Sequence, residues 1–312
     1  MSNSVTVCPI CTATDTSLDR VLYDDRYAYP GEVALVACAS CGHRWLDFAP
    51  ADVRALYADY YPRRDLELAD VPARRARSRA GAWWRGERSA AAAWVPPNVA
   101  VLDIGCGTGE ALAIHRDRGC TVRGVEADEH AVRLARARGL EVEHGAFDPA
   151  THTPASYDVV TLDQVLEHFV DPIAALRGVH AVLRPGGAAI VATPNAASAI
   201  ARVAGDRWIH WHAPYHLHLF SRTSLARAAE HAGLVVADLR TITNSEWLSY
   251  QWIHALTRPR PGTRSKLWDP AARHPAIRAL RAVRFLGGEA AITRICDALG
   301  AGDNFVARLA RP

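Results

Sequence analysis

The line VLDIGCGTGEAL, residues 101–112, constrains the fold of this chain more than any other stretch. A hydrophobic strand ends near an acid, Asp103, and three glycines follow at two-residue spacing before a helix begins: Gly105, Gly107 and Gly109. Glycines at such a turn let a ligand approach the backbone where any Cβ would intrude. The stretch therefore predicts a strand, a ligand-binding loop and a helix, as in a doubly wound α/β sheet.

Short apolar strands alternate with amphipathic helices from Val99 onward, which extends this α/β pattern over most of the chain. Asp171 is expected to cap a helix that starts at Pro172. A structureless loop of about 50 residues is improbable in a compact domain, so we predict a helical insertion over about residues 244–301. The seven predicted strands are VAVLDIG, CTVRGVEA, LEVEHGAF, YDVVTLD, AAIVATPN, LVVADLRTI and DNFVARLAR.

The glycine loop differs in two respects from the loops that bind dinucleotides. Its third glycine does not fit the G-x-G-x-x-G spacing that seats a pyrophosphate, and Asp103 would repel a phosphate. A second acid, Glu126, ends the next strand, where a carboxylate accepts hydrogen bonds from ribose hydroxyls. A nucleoside with a cationic tail suits both acids, and S-adenosylmethionine is such a ligand.

At these residues the chain resembles the class I S-adenosylmethionine-dependent methyltransferases. The resemblance continues through YDVVTLDQVLEHFVDPIAALRGVHAVLRPGGAAIVATPN, which is similar to the ubiquinone-biosynthesis-like and type 11/23 group, and GDNFVARLAR matches the last strand of the family. It implies a Rossmann-like sheet of seven strands in the order 3-2-1-4-5-7-6, with strand 7 antiparallel. It also implies that Asp103, Gly105 and Gly107 face the methionine part of S-adenosylmethionine and that Glu126 holds the ribose.

The residue beside the adenine stays open, because HGAFDP is shifted from the Gly-Asp pair that is usual in the family. Ala146, Phe147 and Asp148 are the alternatives. Cys106 is expected to be a small packing residue of the loop and not a nucleophile. The full set of predicted donor-binding residues is Asp103, Gly105, Cys106, Gly107, Gly109, Glu126, Ala127, Phe147, Asp163 and Gln164.

Two Cys-x-x-Cys pairs stand near the N-terminus, Cys8 with Cys11 and Cys38 with Cys41. Four thiolates in tetrahedral geometry favour a structural Zn²⁺ and leave no open position for catalysis. An iron site of the rubredoxin type and a disulfide or free-thiol hairpin are the alternatives, and His43 is an alternative ligand. We predict a zinc ribbon with its connecting segment over residues 1–62 and the methyltransferase domain over residues 63–312.

The segment RWIHWHAPYHLHLFS, residues 207–221, carries four histidines, of which His216 and His218 alternate and so share one side of an extended chain. Methyl transfer to oxygen usually needs a proton acceptor, and histidine suits that role. We predict His216, then His218, as the base from this segment, with His168 of LEH opposite; a structural role for each is the alternative. A second metal site is less favoured, because no Asp, Glu or Cys is interleaved with these histidines.

Three tyrosines before the domain are predicted either to line the substrate entrance or to pack the ribbon on the domain: Tyr57, Tyr60 and Tyr61. The composition, with 49% hydrophobic and 22% charged residues, is typical of a globular protein. We see no transmembrane run and no signal peptide, so we expect a cytoplasmic location. The formal charge of +3 rests on an arginine bias that runs along the whole chain, so it is weak evidence for nucleic-acid binding, and we expect no nucleic-acid partner.

We therefore expect an O-methyltransferase that acts on a hydroxyl of a sugar-linked or secondary-metabolite acceptor, with N- or C-methylation left open. One alternative is an RNA methyltransferase that uses the ribbon and the arginine-rich segment 63–88, with Trp83 and Trp84, to bind RNA. Another is a non-catalytic S-adenosylmethionine-binding scaffold. The helical insertion is expected to form part of a substrate lid or the surface of a homodimer.

Overall fold

The computed structural model describes residues 7–48, 56–57, 78–265 and 288–312. Four predictions lie wholly or partly outside the described residues: those for Tyr60 and Tyr61, for most of the arginine-rich segment, for the domain boundary at residues 62–63, and for the middle of the helical insertion. We number strands and helices along the described residues.

The strands form two sheets, one of four strands and one of seven. Their bounds are β1 (Thr16–Tyr23), β2 (Glu32–Cys38), β3 (Arg44–Leu46), β4 (Ala100–Ile104), β5 (Thr121–Glu126), β6 (Val142–His144), β7 (Tyr157–Asp163), β8 (Leu183–Pro194), β9 (His218–Leu219), β10 (Val235–Thr241) and β11 (Asn304–Ala310).

The α-helices lie mainly between the strands of the larger sheet, as the alternating pattern predicts. Their bounds are α1 (Arg79–Trp84), α2 (Glu110–Asp117), α3 (Glu129–Ala137), α4 (Pro172–Val182), α5 (Ala199–Ala204), α6 (Arg222–His231), α7 (Ser245–Thr257) and α8 (Gly288–Ala298). Short 3-10 turns at Glu87–Ser89, Ala91–Trp94 and Leu166–His168 border the site described below.

The larger sheet has the order β6-β5-β4-β7-β8-β11-β10. Strands β4 to β8 run parallel, and β11 runs antiparallel to both β8 and β10. The predicted order 3-2-1-4-5-7-6 with an antiparallel strand 7 is therefore confirmed. Parallel strands need both faces covered, and the central ones read as nearly continuous apolar runs for that reason; Leu102, Val160 and Val191 have no exposed surface.

Local sequence signals account for several boundaries in this sheet. The Asp171 side chain accepts a hydrogen bond of 2.8 Å from the Ala174 amide and caps α4, as predicted. The third predicted strand, LEVEHGAF, is shorter than expected and ends at His144. The chain turns at Gly145, whose φ of +142° is a conformation that other residues rarely adopt.

The four-stranded sheet joins the cysteine-rich ribbon to the rest of the molecule, because its order is β1-β2-β3-β9. β9 belongs to the histidine segment, and it pairs antiparallel with β3 so that His218 lies opposite Trp45. The Leu46 amide also donates to the Leu217 carbonyl at 3.0 Å. Part of the histidine segment is thus the outer strand of the ribbon sheet.

The described part of the helical insertion contains α7 and α8, whereas residues 258–265 are not helical, so the predicted helical character is confirmed for these two segments. Ser249 on α7 donates to the Glu289 carboxylate on α8 at 2.6 Å. The buried His254 on α7 lies 3.0 Å from the Asp25 carboxylate, which ties the insertion to the ribbon. Within the described residues, no helix combines the length and apolar character needed to cross a membrane.

Candidate active site

A cleft of about 400 Å³ opens at the carboxyl end of β4, where the predicted glycine loop lies. Open α/β sheets bind ligands at this edge, between loops that follow the parallel strands. Five of the ten predicted donor-binding residues line the cleft: Asp103, Gly105, Cys106, Gly107 and Asp163. The cleft is also lined by Ala90, Ala92, Thr108, Glu110, Ala111, His130 and Ala131.

Two glycines of the loop are needed for different reasons. Gly105 has a φ of +72°, and a Cβ there would lie 2.4 Å from the Cγ2 of Val165. Gly107 has a φ of +54°, and a Cβ there would meet no atom within 4 Å. Gly105 therefore permits close packing under the loop, whereas Gly107 exposes bare backbone to the cleft, where a ligand can approach it.

Asp103 supplies negative charge at the floor of the cleft. Its carboxylate accepts a hydrogen bond of 2.6 Å from Thr161 Oγ1, and only 5% of the residue is exposed. Burial raises the pKa of Asp103 to about 7, and the charges of Asp163 and Glu126 act in the same direction. A cationic ligand would relieve this repulsion, as expected for a site that receives a sulfonium or ammonium group.

Glu126 stiffens the same loop from the end of β5. One carboxylate oxygen accepts from the Gly107 amide at 2.8 Å, and the other accepts from the Asp128 amide at 2.9 Å. A carboxylate oxygen has a second lone pair, so both retain capacity for a ligand hydroxyl. Glu126 does not itself line the cleft, although its hydrogen bonds set the position of a residue that does.

The other predicted donor-binding residues also lie off the cleft lining. A Cβ on Gly109 would lie 2.3 Å from Leu140, so this glycine lets α2 pack closely. Ala127 is exposed, and its carbonyl lies 3.2 Å from His144 Nε2. The Phe147 ring lies 5.7 Å from the His152 ring. Gln164 Nε2 donates to Asn304 Oδ1 at 2.8 Å.

One wall of the cleft is not predicted from the sequence. Ala90 and Ala92, in the short turns before β4, line it, and the Ala91 amide donates to Asp163 Oδ2 at 3.0 Å. An alanine run carries no chemical signal of its own. Only the fold brings this run over the glycine loop.

Three histidines from two distant segments form a cluster beside the cleft, in which His212 and His216 are buried and His168 is partly buried. The His168 and His216 rings meet edge to face with their centroids 4.7 Å apart. The centroids of the His212 and His216 rings are 4.8 Å apart. Tyr57 OH lies 2.8 Å from His168 Nδ1, so this tyrosine reaches the cluster. The structure therefore brings together His168 and His216, two of the three predicted catalytic residues.

A buried acid, Glu167, which is not among the residues predicted from the sequence, joins this cluster. Glu167 has no exposed surface; its Oε2 accepts from Thr193 Oγ1 at 2.9 Å, and its Oε1 lies 3.9 Å from His216 Nε2. Burial raises the pKa of Glu167 to about 8, with a contribution from the charge of Asp163, a residue of the cleft lining. Burial also holds the pKa of His216 well below its usual value.

His218 and His210 have different surroundings from the cluster. His218 Nδ1 lies 3.0 Å from His43 Nε2, and its Nε2 lies 3.3 Å from the Val170 carbonyl. His210 Nε2 lies 3.4 Å from an oxygen of the buried Asp303. Acids thus do approach the histidine segment, but from positions that are remote in the sequence.

The four N-terminal cysteines lie together, with ligand atoms within 4.8 Å of one another. The Sγ–Sγ distances are 3.7 Å for Cys8 and Cys41 and 3.5 Å for Cys11 and Cys38. A disulfide requires about 2.05 Å, whereas sulfurs bound to one tetrahedral Zn²⁺ at about 2.3 Å stand about 3.8 Å apart. The donor set is therefore compatible with zinc.

Comparison with known proteins finds one family and several named relatives. A methyltransferase domain family matches residues 73–239, more than half of the chain. The ubiquinone biosynthesis O-methyltransferase of Aeromonas salmonicida (strain A449) is 32% identical over 152 residues, which are 45% of this chain and 64% of that protein. The ubiquinone biosynthesis O-methyltransferase of Pseudomonas syringae pv. tomato is 34% identical over 159 residues, which are 46% of this chain and 67% of that protein.

A solved S-adenosylmethionine-dependent methyltransferase from Mesorhizobium loti is 16% identical, with a TM-score of 0.47 over 72% of this chain and 98% of that one. The match to the first curated relative spans less than two thirds of its length. The domain match over more than half of the chain shows the family. The chain belongs to the methyltransferase domain family.

Proposed function

We propose that this protein transfers a methyl group from S-adenosylmethionine to a hydroxyl of a small molecule, sugar-linked or from secondary metabolism. The observation that carries the proposal is the cluster of His168, His212 and His216 beside the cleft, with two of its three rings buried. Methyl transfer needs an acceptor held in line with the sulfonium in a site that excludes water. A wall of buried rings with ring nitrogens meets both needs.

In this proposal the cationic part of the donor lies over Asp103 and the bare backbone of Gly107. Glu126 is the candidate for the ribose hydroxyls, because each of its oxygens retains a lone pair beside the loop. Gly105 and Gly109 shape the loop through packing, and Asp163 contributes charge. The adenine contact stays assigned to the stretch that contains Phe147.

Oxygen is the proposed methyl acceptor for two reasons. The curated relatives carry the name of an O-methyltransferase, and the cluster offers neutral ring nitrogens that can receive a hydroxyl proton. The C–O bond would form as the S–CH₃ bond breaks, S-adenosylhomocysteine would leave, and the hydroxyl proton would pass to the cluster and then to water. His216 and His168 are the proposed proton acceptors, and His218 is the next candidate.

We also propose that the four cysteines bind one structural Zn²⁺. Burial raises the pKa of Cys8 to about 11, so a thiolate there needs a cation to stabilise it. The metal would hold the two Cys-x-x-Cys turns together. β3 follows the second of these turns and pairs with β9 of the histidine segment. The zinc would therefore support the acceptor wall without touching the acceptor.

The test uses purified protein, S-adenosylmethionine with a labelled methyl group, and panels of phenolic, sugar-linked and amine acceptors beside bulk RNA. We expect label in a hydroxylated small molecule. His216→Ala should lower the rate of transfer by about 10²-fold or more while donor affinity stays nearly unchanged. His231→Ala, which changes an exposed residue on α6, is the matched control.

Label in RNA but in no hydroxylated small molecule would contradict the proposal. Loss of donor affinity in His216→Ala would also contradict it, because the histidine would then act at the donor site. Binding of S-adenosylmethionine without transfer to any acceptor in the panels would favour a scaffold role.

A further inference from the structure

His210 and Asp303 form a histidine–aspartate pair at the carboxyl edge of the larger sheet. Asp303 directly precedes β11, whose first residue, Asn304, lies opposite Pro194 at the end of β8. Because β8 runs parallel to β7 and β7 runs parallel to β4, Asp303 lies at the same edge as the loops that line the cleft. His210 comes from the histidine segment, so two distant parts of the chain meet at this edge.

Side-chain hydrogen bonds connect the neighbour of Asp303 to the borders of the cleft. Gln164 follows Asp163 of the cleft lining, and its Nε2 donates to Asn304 Oδ1 at 2.8 Å. Asn304 Nδ2 in turn donates to the Ser89 carbonyl at 3.1 Å, directly before the alanine wall. The residue after Asp303 thus bonds to two segments that border the cleft.

The Asp303 carboxylate is held by hydrogen bonds to one of its two oxygens. Its Oδ1 accepts from Ser198 Oγ at 2.6 Å and from Trp208 Nε1 at 2.9 Å. Both donors belong to residues with no exposed surface. The other oxygen, Oδ2, lies 3.4 Å from His210 Nε2. This distance is slightly long for a hydrogen bond, but catalytic contacts of this kind often shorten when the substrate binds.

The backbone on either side of His210 is also held by hydrogen bonds. The Gln251 side chain, which has no exposed surface, accepts from the Ile209 amide at 2.8 Å and donates to the Arg207 carbonyl at 2.7 Å. Arg26 of the ribbon donates to the Ile209 carbonyl. Catalytic groups must be held within about 0.5 Å of their working position, and these contacts supply that rigidity.

The His210 ring is partly exposed. The Trp208 and Trp247 rings pack against it with centroids 5.3 Å and 5.4 Å away, and 12% of the His210 side chain is exposed. Its Nδ1 forms no hydrogen bond with any residue in the described part of the chain. With Nε2–H donated to Asp303, the neutral ring carries its lone pair on Nδ1. That nitrogen is therefore available to a hydroxyl proton.

We propose that His210 is the catalytic base of the methyl transfer and that Asp303 is its positioning residue. The hydroxyl proton of the acceptor passes to His210 Nδ1 as the C–O bond forms and the S–CH₃ bond breaks. The Asp303 carboxylate stabilises the resulting imidazolium, as the aspartate does in the histidine–aspartate pairs of serine hydrolases. The imidazolium then gives its proton to water, and S-adenosylhomocysteine leaves as the second product.

The inference rests on the proposed function and refines one step of it. His168 and His216 then orient the hydroxyl, and the proton goes to His210. The nearest acid to His216 is less suited to stabilise an imidazolium, because Glu167 lies 3.9 Å away and burial raises its pKa to about 8. An acid with this pKa is largely neutral near pH 7.

Asp303→Asn tests the pair while it preserves the surrounding contacts. The Asn oxygen keeps the hydrogen bonds from Ser198 and Trp208, so the amide NH₂ faces His210 and donates to Nε2. The hydrogen of the neutral ring then moves to Nδ1, where the base needs its lone pair. For the hydroxylated acceptor found in the panels, kcat should fall by about 10²-fold or more in Asp303→Asn and in His210→Gln. Affinity for S-adenosylmethionine should stay nearly unchanged.

Nitrogen NMR of isotope-labelled histidines measures the tautomer of His210 without any acceptor. The ring hydrogen should lie on Nε2 in the unaltered protein and on Nδ1 in Asp303→Asn, and His210→Gln assigns the signal by its loss. Asp117→Asn and His231→Gln are the matched controls, because both change exposed side chains. Both controls should leave the tautomer and kcat unchanged.

Three results would overturn the inference while the proposed function stands. The first is a kcat that stays within about twofold of the unaltered value in both variants. The second is a ring hydrogen on Nδ1 in the unaltered protein. The third is a fall in kcat that only accompanies a loss of donor affinity, because the pair would then be structural. If circular dichroism shows that Asp303→Asn does not fold, His210→Gln and the tautomer of the unaltered protein decide.

Failure of the proposed function gives a different result. The expected tautomers, in a protein that binds S-adenosylmethionine but methylates no hydroxylated acceptor, would overturn the proposed reaction and with it the role of His210 as its base.

Discussion

His43 of the ribbon and His218 of the histidine segment share a buried hydrogen bond of 3.0 Å between Nε2 and Nδ1, and their rings stack at 5.3 Å. The pair lies where β3 and β9 meet, so it joins the ribbon to the methyltransferase sheet through side chains as well as backbone. Burial lowers the pKa of His218 to about 4, which keeps this ring neutral near pH 7.

The first prediction concerns this pair. His43→Ala should lower the free energy of unfolding by about 2–4 kcal/mol, because it leaves a cavity and removes the partner of a buried ring nitrogen. Chemical denaturation measures the change, with His231→Ala as the exposed control. A loss below about 0.5 kcal/mol, the range of ordinary surface substitutions, would contradict it.

His218→Ala should show the same loss of stability. Its effect on methyl transfer decides between the structural position and the catalytic role predicted from the sequence. Unchanged stability together with a lower kcat would support His218 as a base. A loss of stability with an unchanged kcat would show that His218 has a structural role in its contact with the ribbon.

The second prediction concerns the cysteine cluster. Metal analysis should find about one zinc per chain, held by thiolates, and Cys38→Ser should lose it. The Tm of this variant should fall by roughly 5 °C or more, because structural metal binding contributes directly to folding. Cys296→Ser is the control, since this free thiol lies on α8; equal metal loss in both variants would argue against a site at the four cysteines.

The third prediction concerns the pH dependence of donor binding. Burial raises the pKa of Asp103 to about 7, and a cationic donor favours the ionised carboxylate. Affinity for S-adenosylmethionine should therefore rise as the pH rises towards about 7 and fall by up to about tenfold per pH unit below it. Calorimetry in buffers of different ionisation enthalpy should detect proton release on binding.

Asp103→Asn tests how the ionisation of the same carboxyl affects the stability of the fold. A carboxyl whose pKa is raised in the folded state favours folding when protonated, and this contribution is lost as the pH rises from about 4 to about 7. Without donor, Asp103→Asn should therefore gain stability relative to the unaltered protein above pH 7, yet bind the donor more weakly. A variant that keeps the full pH dependence of binding would assign it to another group.

The fourth prediction contrasts the two glycines of the loop. Gly105→Ala should cost about 2 kcal/mol or more of stability, because its Cβ would collide with Val165. Gly107→Ala should cost only about 1 kcal/mol, from its positive φ, but should weaken donor binding more than it weakens folding. Thermal unfolding and donor titration on both variants check the contrast; a reversed order would place the ligand away from Gly107.

The sequence by itself determined the features that depend on neighbouring residues. VLDIGCGTGEAL carries a strand, a loop with positive φ angles and a helix in one stretch. The Cys-x-x-Cys pairs carry two metal-binding turns, and Asp171 with Pro172 starts a helix. These signals act within one or two turns of chain, so the strand order, the loop and the cysteine cluster followed from them together with the family resemblance.

Only the tertiary structure decided which distant groups share a site. The histidine segment contains no acid at close spacing, yet the fold brings Glu167 to His216 and Asp303 to His210. The fold also places His218 in the ribbon sheet, because β9 pairs with β3. It places Ala90 and Ala92 in the lining of the cleft. Such contacts depend on how sheets and loops pack across long separations in the chain, and no local spacing of residues encodes them.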